Sequence, residues 1–156
     1  MKELVSQIKS IMLAGGKTLA TAESCTGGGI AAAITSVSGA SEFFQGGLVA
    51  YQNSVKIEKL GVQAGDIEQY DVVSCQVAQQ MVRGACRMFG TDYALASTGY
   101  AQGGSDKVAA GTIWIAWGSA DEVHSLCLTK DRGREENVKV AIDKVLEEFL
   151  DWLLAK

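Results

Sequence analysis

The run Thr21-Ala22-Glu23-Ser24-Cys25-Thr26-Gly27-Gly28-Gly29 sets a hydroxyl, a thiol and a second hydroxyl side by side. Three glycines and the Ala-rich stretch 30–34 follow directly. Ser24, Cys25 and Thr26 are each able to attack an electrophile or bond a ligand. The apolar, Thr-rich residues 18–22 predict a strand, the glycines a tight loop, and the Ala-rich stretch a helix. Such a turn leaves backbone N–H groups free and aims the positive end of the helix dipole at them, so it forms an anion site. A plain Ser/Thr N-cap, with glycines present for packing, has the same composition.

A second group is Tyr51-Gln52-Asn53-Ser54-Val55-Lys56. Tyr51 ends a predicted strand and Lys56 falls in the first turns of the next helix, where the dipole mildly disfavours a cation. A lysine desolvated there has its pKa lowered, as a general base requires. With one histidine in the chain, Lys56 is the natural group to activate Ser24. The plainer alternative is a solvated helix lysine like Lys59. Cys25 is the rival nucleophile, since a thiol at a helix amino terminus is activated; its other role is a small packing group beneath the loop.

These groups need a scaffold, and the pattern supplies one. Leu4, Val5, Ile8, Ile11 and Met12 recur at helical spacing, and Gly15-Gly16 ends that helix. Strands are predicted over 17–22, 46–51, 93–97 and 112–117, with 123–128 returning as a hairpin partner of the last. Helices are predicted from the Gly loop to 35, over 54–60, from the N-cap Ser74 to 89 with Val77, Met81, Ala85 and Met88 on one face, and over 134–154. Alternating strands and helices imply one α/β domain over 1–156 with a largely parallel sheet. Ligands of such sheets sit at the carboxyl ends of the parallel strands. The loops after Ala22, Tyr51 and Ser97 therefore meet around one crevice.

Composition sets bounds. The chain has 156 residues, 47% apolar and 21% charged, which are globular values, and a net charge of -4. An acidic balance argues against a nucleic-acid surface, and no apolar run nears the ~20 residues of a membrane span. The opening Met1-Lys2-Glu3-Leu4 reads as helix, not as a secretory leader. Cys25, Cys75, Cys86 and Cys127 show no paired spacing, so a metal site is not expected, and reduced thiols suit a cytoplasmic protein. Proline is absent, where average usage predicts roughly eight; the turns must rest on Gly, Asn and Asp. His124, Trp114 and Trp117 read as structural, and Asp131 as a partner of Arg132 or a cap of the last helix.

Taken together, Ala22 to Gly28, the residues from Phe44 to Tyr51 with Asn53 and Lys56, Gly61-Val62, Val72-Val73-Ser74, Ser97-Thr98-Gly99, Gly111-Thr112 and Asp131-Arg132 resemble the carboxyl-terminal domain of the competence/damage-inducible CinA proteins. That domain also occurs alone as a nicotinamide-nucleotide amidase. The resemblance spans nearly the whole chain. It implies a three-layer α/β/α sandwich with a mostly parallel mixed sheet. It further implies hydrolysis of nicotinamide mononucleotide to nicotinic acid mononucleotide and ammonia, without cofactor or metal. Ser24 is then the nucleophile, with Tyr51 and Lys56 as proton-transfer partners. Cys25, Thr26, Gly27, Gly28, Asn53, Thr98 and Gly99 contact the pyridine nucleotide, Arg132 its phosphate, and the chain has room to form a homo-oligomer.

The sequence also departs from the family. The usual Gly-Ile-Ala-Gly-Pro and Lys-Pro-Val-Gly-Thr stretches are replaced by a shorter, proline-free run over 99–112, with Tyr100 in place of a smaller aliphatic residue. Glu136 stands where a second arginine is usual, although Arg134 lies nearby. The expectation is an intact nucleophile side and weakened substrate binding. The alternative is a non-catalytic nucleotide-binding or regulatory module. A protein-interaction role in DNA uptake or repair is a third, weaker option.

Overall fold

The computed structural model describes residues 1–156. In chain order the elements are α1 (Lys2–Gly15), β1 (Leu19–Glu23), α2 (Gly29–Thr35), β2 (Phe44–Val49), α3 (Asn53–Leu60) and α4 (Ala64–Tyr70). They continue as α5 (Cys75–Phe89), β3 (Tyr93–Gly99), β4 (Ile113–Gly118), β5 (Val123–Leu128) and α6 (Arg134–Leu154), with a short 3-10 turn at Ala40–Glu42. The five strands form one sheet in the order β2-β1-β3-β4-β5. β1 pairs in parallel with β2 and β3, whereas β4 is antiparallel to both neighbours. Four strands thus share one direction and only β4 runs against them.

Strand alternation sorts the core into two unequal halves. Leu19, Tyr93, Leu95, Ile113, Ile115 and Trp117 face one layer, packed against Val5, Ile8 and Met12 of α1, Ile30 and Ile34 of α2, and Val145, Leu146 and Phe149 of α6. The opposite face is floored by Ala20, Ala22, Ala94, Ala96 and Ala116, against which α5 lays Val77, Ala78, Met81, Val82 and Ala85. Small floor residues let α5 lie close to the sheet. Gly84 extends that closeness to α3: an added Cβ would stand 2.1 Å from the Leu60 carbonyl oxygen. The α3 helix is thereby pressed onto α5, and α3 carries Lys56.

The predicted helix stops hold. Ser74 caps α5, its hydroxyl accepting from the Val77 N–H at 3.2 Å, and α1, α3 and α5 end on left-handed Gly16, Gly61 and Gly90. Met88, expected on the buried face of α5, is instead 46% exposed. Strand β2 begins two residues earlier than the pattern suggests, and Tyr51 lies beyond its end. The α4 helix has no sequence signal: none of its residues is buried. No helix is long and apolar enough to cross a membrane.

Candidate active site

The crevice opens where β1, β2 and β3 end together, Glu23 being paired with Val49 on one side and Ser97 on the other. Ser24, Cys25, Tyr51, Lys56, Val72, Thr98, Gly99, Tyr100, Ala101, Gln102 and Arg134 line it. The segments after β1, β2 and β3 contribute, as the strand order requires, joined by Val72 from the α4–α5 connection and Arg134 from the start of α6.

Ser24 is held by its backbone, the N–H donating to the Ser97 carbonyl at 3.1 Å and to the Ser97 hydroxyl at 3.3 Å. Its own hydroxyl has no partner within the chain, although the residue is buried. What fixes the turn is Glu23, which the sequence did not single out. Its carboxylate is 1% exposed and accepts from Thr26 Oγ1 at 2.6 Å, the Ile30 N–H at 2.8 Å and the Ala31 N–H at 3.0 Å. An internal carboxylate thus occupies the amino terminus of α2. The Gly27 N–H is also spent, on the Ser24 carbonyl at 3.0 Å. The Gly28 N–H makes no hydrogen bond within the chain, and neither glycine lines the crevice. Thr26 is consumed too, sharing a 2.7 Å hydrogen bond with Ser97 Oγ. Its hydroxyl braces the turn. The N–H groups of Cys25 and Thr26 make no hydrogen bond within the chain.

Lys56 is 1% exposed and faces no carboxylate; its ammonium donates only to the Tyr51 carbonyl oxygen, at 3.2 Å. Burial lowers its pKa from 10.5 to about 8, with Cys25 acting weakly in the opposite sense. This is desolvation of a charge that lacks a counter-ion. The same burial raises the Cys25 thiol to about 11, outweighing a hydrogen bond with Ser97. Cys25 is therefore a protonated thiol near neutral pH. Burial outweighs the activation expected from a helix terminus, and the nearby Glu23 carboxylate acts in the same sense as burial.

Tyr51 is 55% exposed, and its hydroxyl accepts from Arg134 Nη2 at 3.1 Å. That bond joins the loop after β2 to the first residue of α6. Arg132, expected to serve a phosphate, lines a separate shallow depression with Lys130 and Val140. Arg134 takes the place in the crevice. The helix start decides this: Asn137 binds the Arg132 N–H through Oδ1 at 2.8 Å, while its Nδ2 donates to the Asp131 carboxylate and to the Ala101 carbonyl. Asp131 accepts from the Gly133 N–H and Asn137, not from Arg132. Buried Asn137 ties α6 to the crevice loop and turns Arg134 inward. Glu136 is exposed and outside the crevice, so its charge does not enter the site.

Of the other expected residues, Thr98 and Gly99 line the crevice, but the Thr98 hydroxyl donates to the Val72 carbonyl at 2.9 Å. Asn53 is exposed at the start of α3 and outside the lining. Asp71 stands out beside the crevice. It is the one non-glycine residue with positive φ, at φ 81° and ψ 155°. That is glycine territory, where another residue costs about 1–3 kcal/mol.

A five-stranded sheet between two helical layers, with a buried lysine and a serine in one crevice at the strand ends, defines an α/β/α sandwich of a specific kind. The family model of the CinA C-terminal domain matches residues 1–153, and the chain belongs to that family. The competence damage-inducible protein A (ComA) of Klebsiella pneumoniae superposes with a TM-score of 0.93 at 32% identity, over 98% of this chain and 96% of that one. A Pseudomonas putida protein named nicotinamide-nucleotide amidohydrolase PncC is 44% identical over 133 residues, 81% of this chain and 83% of the relative. A CinA-like protein of Rippkaea orientalis is 45% identical over 114 residues, 72% of this chain. The alignments with such CinA-like relatives cover only 27% to 37% of their length.

Proposed function

We propose that the chain hydrolyses the carboxamide of nicotinamide mononucleotide, releasing ammonia and nicotinic acid mononucleotide. The observation that carries this is Lys56: fully buried, lacking a carboxylate partner, depressed to about 8, and lining the same crevice as Ser24. The name of the Pseudomonas putida relative supports the same chemistry.

In this mechanism Ser24 Oγ attacks the carboxamide carbon and neutral Lys56 takes the hydroxyl proton. The carbonyl oxygen becomes an oxyanion, and the free N–H groups of Cys25 and Thr26 are its donors. Collapse of the intermediate expels ammonia, the leaving nitrogen receiving the proton held by Lys56, directly or relayed through the Tyr51 hydroxyl, so that Lys56 is neutral again. Because Tyr51 accepts from Arg134, its own proton stays free to be donated. Water then attacks the Ser24 ester, giving a proton to Lys56, which passes it to Ser24 Oγ as the ester bond breaks; the released acid ionises to the carboxylate and both residues are restored. Arg134, a guanidinium without a carboxylate partner at the mouth of the crevice, binds the phosphate.

The test is an ammonia-release screen over pyridine nucleotides with purified protein. Turnover of the mononucleotide is the expected result. Calorimetric binding without turnover would mark a nucleotide-binding module, and absence of both would remove the pyridine nucleotide as ligand.

A further inference from the structure

The wall of the crevice facing Ser24 comes from the loop after β3, which supplies Tyr100, Ala101 and Gln102. Without proline, that loop gains no stiffness from its covalent chemistry. It is nevertheless tied at its base and near its tip to one side chain from another element. The Tyr100 hydroxyl donates to Asp71 Oδ1 at 2.9 Å and the Ser105 hydroxyl to Asp71 Oδ2 at 2.6 Å. Ser105 in turn accepts from the N–H groups of Lys107 and Val108, which folds the loop tip. The Lys107 ammonium then caps the end of α4 through the Glu68 and Gln69 carbonyls. At the loop base, Tyr100 and Gly111 or Thr112 exchange backbone bonds of 2.8 Å.

Three features single out Asp71. Its backbone occupies a conformation suited to glycine, so a glycine there would be relaxed and the carboxylate lost. Both of its oxygens accept, Oδ1 from the Val73 N–H and Tyr100 and Oδ2 from Ser105. Its neighbour Val72 lines the crevice and accepts from Thr98. Although burial opposes the charge, the bonds from Ser105, Val73 and Tyr100 hold the carboxyl below its usual range. A strained residue kept for its side chain points to a role for that side chain.

We propose that Asp71 is a positioning residue: its carboxylate fixes Tyr100 and the loop 100–110 as the substrate-facing wall, and so sets substrate affinity without taking part in bond making. Pre-organising a wall lowers the ordering cost that binding must meet. The role in affinity rests on the proposed amidase activity, whereas the clasp itself does not.

The experiment compares the full chain with Asp71→Gly, a change that fits the backbone, and with Asp71→Asn, which keeps one accepting oxygen. Amide hydrogen exchange over 100–111 is expected to accelerate in Asp71→Gly, with KM for nicotinamide mononucleotide raised about tenfold and kcat within about twofold, the signature of lost uniform binding. Asp71→Asn is expected to fall between, and Tyr100→Phe to add nothing on the Asp71→Gly background. Unchanged exchange in the loop overturns the clasp, and faster exchange with unchanged KM overturns its role in affinity. If the parent protein shows no turnover, the amidase reading fails separately. The clasp is then decided by exchange, and its effect on the crevice by the calorimetric affinity for the same nucleotide.

Discussion

The Lys56 ammonium and the Tyr51 carbonyl, five residues apart, meet at 3.2 Å across the first turn of α3. That contact is the only hydrogen bond the buried ammonium makes, so the charged form is poorly supported and the neutral form accessible. Activity that needs a neutral Lys56 rises with pH. A plot of log kcat/KM is expected to climb with unit slope below about 8 and level off above it, following the depressed value of Lys56. A profile flat from pH 6 to 9 would exclude Lys56 as the base.

The same residue weakens the fold. A lysine at about 8 in the folded state against 10.5 unfolded binds fewer protons when folded, so stability increases as pH rises from about 8 to 10.5. Below pH 8 the cost is about 3 kcal/mol. Lys56→Met is expected to abolish turnover yet raise stability by about 2 kcal/mol at pH 7, part of the gain being lost with the Tyr51 contact. The gain should vanish above pH 10.5. Urea melts at pH 7 and pH 10.5 check both signs.

Cys25 should be dispensable for chemistry. Its thiol, raised to about 11 by burial, is protonated at pH 7 and slow toward iodoacetamide. Cys25→Ala is expected to retain kcat within about threefold, the backbone N–H being unchanged. A loss matching that of Ser24→Ala would make the thiol the nucleophile.

Glu23 links stability to the site. Replacing it with alanine leaves the buried Ile30 N–H and the half-buried Ala31 N–H without their partner and the Thr26 hydroxyl with Ser97 alone, at about 1–3 kcal/mol for each group left unpaired. Chemical denaturation should show a loss of at least about 2 kcal/mol. Its turnover should fall too, because the turn presenting Ser24 is no longer pinned.

Arg134 and Arg132 should behave differently. Arg134→Ala is expected to raise KM about tenfold or more, the scale of a lost charge-assisted pair, while Arg132→Ala leaves KM within about twofold. Equal effects would put the anion outside the crevice.

Much of this was legible because burial leaves periodic marks. The Val77, Met81 and Ala85 face of α5 and the apolar stripe of α6 follow directly from spacing, as does the β4–β5 hairpin. The α4 helix left no such mark, since it buries nothing. Local spacing also could not reveal that Glu23 reaches forward seven and eight residues to cap α2. That bond commits the first amides of α2 to an internal carboxylate and leaves the N–H groups of Cys25, Thr26 and Gly28 as the free donors of the turn. The start of α6 at Arg134 was legible, but the choice between Arg132 and Arg134 rests on the contacts of Asn137 with Arg132, Asp131 and Ala101, which a motif does not show. The proline-free loop looked loose because its rigidity lies in Asp71, roughly thirty residues earlier.

The most direct measurement is ammonia released from nicotinamide mononucleotide at pH 8.5 by the parent chain and by Ser24→Ala, at matched, high enzyme concentration. The parent is expected to turn over, and Ser24→Ala to fall by at least about a thousandfold, the scale of losing a nucleophile. Equal ammonia release by the two proteins would contradict Ser24 as the attacking group, and with it the Ser24–Lys56 mechanism.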